Sequence, residues 1–296
     1  MSIKTFWNKS IVNKLLIIIP LLWIALAIVF GIYDLAISKA LFNSNSVLGK
    51  LVEGLGEVPG IIFALFALFI LGMNVKIKKE GNKKLFFLGE VFVSTFLFIY
   101  LTKIFFDYFG VNFQFMSIYG VTIGLFFILI SLILFYLFKT KFNKFSERNY
   151  LFAKISVMVL VISGILVEAL KFLWGRVRYE EIVNNIGNFT AWYLPQGING
   201  NYSFPSGHAF LGWILIPLFI LFLNKNKIKK WIILSLTIIF GLFVSYERVV
   251  FGAHYASDVL FSSGIVIITF LILYRKNFPK KNVLSTKKKK KIKKRK

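Results

Sequence analysis

Cysteine is absent from this 296-residue chain, which excludes disulfides, thiolate catalysis and the commonest structural zinc sites. Histidine is nearly absent: there are two, His208 and His254, and no acidic cluster accompanies them. No protein-bound metal and no cofactor are therefore expected. Acid is scarce too, with 12 Asp and Glu against 37 Lys and Arg and a formal net charge of +25. A balance that basic suggests nucleic acid only when the cations form a folded patch, whereas here they fall in short clusters between apolar segments. No nucleic-acid partner is expected. What fills the chain instead is apolar: 57% hydrophobic residues, 18% aromatic, 35 of them Phe, with a mean hydropathy of +0.74. This is the composition of a polytopic membrane protein.

Crossing roughly 30 Å of hydrocarbon takes about 20 residues of helix. Apolar runs near residues 15–36, 59–75, 85–106, 116–138, 152–173, 208–223, 231–251 and 256–274 predict an all-α fold, a transmembrane helical bundle of about eight spans. The first run follows Lys4, Lys9 and Lys14 as in a signal peptide, but it is too long and lacks a small-residue cleavage site, so it reads as a retained helix. With the N-terminus inside, segments 1–14, 76–84, 139–154, 224–230 and 275–296 hold 30 of the 37 basic residues. That asymmetry predicts cytoplasmic N- and C-termini in a multi-pass cell-membrane protein, with loop 174–207 and residues 247–258 outside. The organisation reads as N-terminal transmembrane helices over 1–150, a catalytic transmembrane region over 151–275 and a basic cytoplasmic tail over 276–296. The lysine run 287–296 suits either contact with anionic cytoplasmic lipids or a solvated tail that fixes topology.

Three segments carry chemistry. Lys171 and Arg178 are seven residues apart, near two helical turns, so a continuing helix would turn both cations to one face, with Arg176 between them. In Phe204-Pro205-Ser206-Gly207-His208, Ser206 can cap the following helix and Gly207 lets the backbone approach an anion at its positive end. In the third, Arg248 precedes His254 by six residues, and Asp258 lies one turn beyond His254, placed to accept its ring N–H. Each segment alone has a plain structural explanation: snorkelling cations, an ordinary turn, a structural His–Asp pair. Together they point to phosphate.

In order and spacing the three segments resemble the signature motifs of the type 2 phosphatidic acid phosphatase superfamily, membrane lipid phosphatases related to haloperoxidases. The resemblance implies a six-helix lipid-phosphatase-like core, to which the hairpin of spans near 85–138 is an addition. It implies that His254 attacks phosphorus to give a phosphohistidine, supported by Asp258. His208 then protonates the leaving oxygen and activates water, while Lys171, Arg178, Ser206, Gly207 and Arg248 hold the phosphoryl oxygens. The expected substrate is a membrane lipid phosphate: undecaprenyl diphosphate, phosphatidic acid, phosphatidylglycerophosphate or a lipid A phosphate. Two positions depart from the family pattern. Tyr179 replaces a proline, and Glu247 replaces a serine, where its carboxylate either pairs with a cation of the site or points away. Arg176 and Glu247 are thus candidate modulators.

Other residues stand out less. Trp192 and Tyr193 suit an interfacial lid, Glu180 and Glu181 an entrance or a solvated face, and Glu168 is one turn before Lys171, within pairing reach. Lys103 and Glu90 lie in or near a span, Glu90 without an evident partner. The alternatives to a phosphatase are a phosphotransferase using the same site and a transporter whose buried charges line a path.

Overall fold

The computed structural model describes residues 9–74, 80–110, 147–223 and 227–277, together with isolated positions between 122 and 133. Among these residues the architecture is entirely helical. The helices are α1 (Lys9–Leu41), α2 (Val47–Leu55), α3 (Val58–Asn74), α4 (Glu80–Tyr108), α5 (Glu147–Trp174), α6 (Tyr179–Ile182), α7 (Gly207–Trp213), α8 (Lys227–Val250) and α9 (Ala256–Asn277). Among the described residues, six segments are long and apolar enough to cross a membrane: Ile11–Leu41, Val47–Gly72, Val91–Tyr108, Arg148–Ile182, Ile228–Val250 and Ala256–Asn277. Six of the eight expected spans fall on them. The expected span at 116–138 and the lysine tail lie outside the described residues, as does the side chain of Glu90.

The expected span at 208–223 is not one α-helix. α7 stops at Trp213, and a 3-10 turn of helix covers Ile216–Phe222 with Pro217 at its start. Pro217 has no N–H to give the Trp213 carbonyl, so the α-helical ladder breaks there. Burial holds the broken segment in place: Trp213, Ile214, Ile216, Phe219 and Ile220 lie in the main core with Phe152, Ile155 and Val159 of α5 and Phe270 and Tyr274 of α9. α9 is the axis of this core, packed on α1, α5 and α7. Trp23 of α1 donates to the Leu260 carbonyl at 3.1 Å, while Ile17, Leu21, Ile28 and Ile32 on the other side of α1 stay exposed. Exposed apolar ridges on that scale are what a helix presents to lipid.

α4 lies at the margin, against α2 and α3. It belongs to the hairpin expected as an addition to the core. The short α2 is capped by Ser46, whose hydroxyl accepts from the Gly49 amide at 3.0 Å, and it packs across α8 and α4. The turn from α2 into α3 thus sits over the same end of the bundle as the α8–α9 connection.

Candidate active site

Each motif is presented by a helix end. α5 finishes at Trp174 because Gly175 takes a positive φ of 59°, a left-handed conformation that suits glycine at a helix C-terminus. The helix expected to run on to Arg178 therefore does not, and Arg178 is extended, at the start of α6. Lys171, in the last turn of α5, pairs with Glu168 at 3.3 Å, as its one-turn spacing allows. Its Nζ is close to the Gly207 backbone, 3.1 Å from where a Cβ would stand. Arg178 is 36% exposed in its side chain and pairs with Glu180 at 3.3 Å.

Ser206 caps α7, its hydroxyl accepting from the Ala209 amide at 3.3 Å. Its own amide donates to the Asp258 carbonyl oxygen at 3.2 Å, and its carbonyl accepts from the Ser262 hydroxyl at 2.7 Å. The second motif is thus bolted to α9. His208 follows, with Nδ1 3.1 Å from Glu57 Oε1 and Nε2 3.1 Å from the Glu53 carbonyl oxygen.

Between α8 and α9, Gly252 at φ 85° turns the chain so that the His254 amide donates back to the Arg248 carbonyl at 3.2 Å. His254 is buried, and its Nδ1 lies 2.6 Å from the Ser203 carbonyl oxygen. A carbonyl only accepts, so Nδ1 carries the proton and Nε2 the lone pair. Asp258 Oδ2 is 3.7 Å from Nδ1, beyond a hydrogen bond. It accepts instead from the Ser203 hydroxyl at 2.6 Å and the Tyr255 amide at 2.9 Å. The expected direct bond from the His254 ring to Asp258 is therefore replaced by one to the Ser203 carbonyl. Asp258 fixes the same residue's hydroxyl and caps α9 by reaching back to the amide of Tyr255, the residue just before the helix. Burial is the main reason the His254 ring is pushed down to about 3, with Asp258 opposing and Arg248 and Arg178 adding to the shift. The ring is neutral throughout the physiological range.

Arg178 acts on both imidazoles, Lys171 on His208 and Arg248 on His254, which brings all three cations to the two rings. Arg248 is 1% exposed. Its Nη1 forms an ion pair with Glu53, and its buried Nε has no hydrogen-bond partner. Of the eight residues expected to catalyse or to hold phosphate, all stand on helix ends or connections at this end of the bundle.

Arg176 and Glu247 face elsewhere. Arg176 is 1% exposed and serves the packing behind the site, donating to Asp258 Oδ1 at 2.5 Å, Ser257 Oγ at 2.8 Å, Asp34 Oδ2 at 3.0 Å and the Thr190 carbonyl at 2.9 Å. Its guanidinium also lies 3.9 Å from the Tyr255 ring centroid. Glu247 accepts from the Ser46 hydroxyl at 3.3 Å, at the start of α2, so its carboxylate is turned to a helix N-terminus. Tyr179 is buried, edge-on to Phe42 and Tyr255. Trp192 is tied into the bundle through its Nε1 on the Ala27 carbonyl at 2.9 Å and its ring on Phe261, while Tyr193 beside it is exposed.

Four residues of the N-terminal half escaped the sequence reading: Asp34, Glu53, Glu57 and Tyr100. Asp34 is a carboxylate inside an apolar run, a signal of function in itself. It accepts from the Ser257 amide at 2.9 Å and from Arg176, and it is fully buried. Glu57 receives the Tyr100 hydroxyl at 2.5 Å. Glu53, Glu57 and Tyr100 line, with His208, a cavity of about 260 Å³ between α2 and α4.

Two imidazoles and three cations thus gather at one end of a helical bundle whose long helices are apolar enough to cross a membrane. The PAP2 superfamily model matches residues 152–281, and together with the apolar helices this match supports a membrane protein of the phosphatase type. The match takes in all three motifs and leaves α1–α4 outside. Comparison with curated proteins and with solved structures found no match.

Proposed function

We propose that the protein is an integral-membrane lipid phosphatase, which hydrolyses a phosphomonoester or diphosphate of a membrane lipid through a phosphohistidine at the outer face. The observation that carries this reading is Arg248: a buried guanidinium beside a neutral His254, with an N–H donor left unpartnered in a site that offers two more cations. A buried donor without a partner costs about 1–3 kcal/mol, and a phosphoryl oxygen is the acceptor that suits this one.

In this reading His254 attacks through Nε2, since Nδ1 is committed to the Ser203 carbonyl. Lys171, Arg178 and Arg248 carry the charge of the phosphoryl oxygens, the electrostatic task that a metal performs in other phosphatases. The Gly207 amide and the start of α7 add dipoles. Phosphate must displace Glu53 from Arg248 on binding. The outer-face assignment rests on the asymmetry of the basic residues, and a lipid substrate on a site at the end of membrane-crossing helices.

The test is phosphate release by purified protein from a panel of lipid phosphates in EDTA. His254→Ala and His208→Ala are expected to abolish it. Full release by both variants, or dependence on an added divalent metal, refutes the mechanism, and phosphate passed to an acceptor instead of water identifies a phosphotransferase.

A further inference from the structure

An acid that protonates a leaving oxygen must hold its proton on the ring nitrogen facing the substrate before the bond breaks. The two polar partners of His208 are the Glu57 carboxylate at Nδ1 and the Glu53 carbonyl at Nε2, both at 3.1 Å. Carboxylates and carbonyls only accept. A neutral imidazole has one N–H and would set a lone pair against one of them, whereas the doubly protonated ring satisfies both. Glu57 is itself held: its carboxylate is 10% exposed, and Tyr100 on α4 donates to its other oxygen at 2.5 Å. Burial is the largest influence on His208 and disfavours a positive ring, as do Lys171 at the end of α5 and Arg178 beyond it, while Glu57 favours it. Lys103 and Asp107 on α4, which line the same cavity, pair with each other at 3.9 Å.

We propose that Glu57 is a positioning residue for His208. It holds the ring through Nδ1 so that Nε2 carries an N–H, which donates to the Glu53 carbonyl until the leaving oxygen of the substrate takes that place, and Tyr100 orients Glu57. This rests on the phosphatase reading. In the first half-reaction the phosphorus–oxygen bond breaks toward the lipid oxygen, which takes the Nε2 proton, as the His254 Nε2 lone pair bonds to phosphorus. His208 is left neutral, its remaining proton at Nδ1 against Glu57. In the second half-reaction His208 Nε2 takes a proton from water, whose oxygen bonds to phosphorus while the phosphorus–nitrogen electron pair returns to His254. The helix α4, outside the region that the family comparison covers, thereby becomes part of the catalytic apparatus.

The test compares two substrates on purified full-length protein: dodecyl phosphate, and a nitrophenyl phosphate carrying the same alkyl chain. An alkoxide needs a proton in order to leave, and a nitrophenolate does not. Glu57→Gln is expected to lower kcat/KM, which reports only the half-reaction that releases the leaving group, on the order of 10- to 100-fold on the alkyl ester, with that of the nitrophenyl ester nearly unaffected. Glu57→Asp should restore part of the loss, and Tyr100→Phe should show the same substrate contrast to a smaller degree. Equal losses on both substrates in a folded Glu57→Gln protein, or loss on neither, overturns the assignment. Should Glu57→Gln fail to fold, Tyr100→Phe decides by the same ratio. Failure of the underlying reading looks different: the wild-type protein releases phosphate from neither ester, which removes both proposals.

Discussion

Arg176 and Arg178 stand two residues apart in one motif, and the structure gives them different work. Arg176 is buried against two carboxylates, Asp34 and Asp258, which are themselves fully buried. Truncating one partner of such a network leaves unpaired charge in a medium that solvates it poorly, at a cost of about 3–5 kcal/mol. Against a total stability of roughly 5–15 kcal/mol that is a large share. Arg178, by contrast, is 36% exposed and pairs with a Glu180 that is 29% exposed, an arrangement worth about 0–1 kcal/mol. Arg176→Ala should therefore lower the thermal unfolding midpoint in detergent by many degrees, and Arg178→Ala should leave it nearly unchanged while removing phosphate release. Asp34→Ala combined with Arg176→Ala should cost less than the sum of the two, because the double variant removes two of the three charges at once. An Arg176→Ala protein that unfolds at the wild-type temperature, or additive single variants, would refute the reasoning.

Three further outcomes follow from individual contacts. His254, held neutral down to about 3 by burial, refuses a proton that the unfolded chain accepts near 6.5. The native state should lose stability as pH falls from about 6.5 toward 3 and feel nothing from this group above that range; His254→Gln should flatten the acid limb of the unfolding midpoint against pH, and parallel curves would contradict the assignment. Glu53 occupies the Arg248 guanidinium that phosphate is to take, so Glu53→Gln should tighten inhibition by inorganic phosphate several-fold, and unchanged or weaker inhibition would show that the carboxylate does not compete. Glu247 is turned to Ser46 at the start of α2, so Glu247→Ser should leave phosphate inhibition unchanged and lower only the unfolding midpoint.

The bundle was legible because hydropathy and basic clusters report directly on length and burial: the runs at 15–36, 152–173 and 256–274 each fall within a helix, and 231–251 overruns α8 by one residue. The misread segment is 208–223. Its apolar residues support a span, yet Pro217 sits where α7 would have to continue, and the break at Trp213 follows from that one missing donor. The same local logic explains Arg178. Spacing alone put it on a continuing α5, while Gly175, three residues earlier, carried the signal that the helix ends.

The site was legible in its three motifs because each is contiguous and its residues are neighbours along the chain. Its supporting charges were not, since Asp34, Glu53 and Glu57 meet partners more than 140 residues away: Arg176 for the first, Arg248 and His208 for the other two. No periodicity encodes such a pairing. Only Asp34 left a trace, as a carboxylate in an apolar helix that must find a cation to remain there. The cation it finds, Arg176, also binds Asp258, and Asp258 holds the Ser203 whose carbonyl orients His254. A residue in the first helix thus reaches the proposed nucleophile through three side chains. The family match, which begins at residue 152, therefore covers the motifs and Ser203 without covering Asp34, at the far end of the chain of contacts that reaches His254, or Glu53 and Glu57, which hold His208.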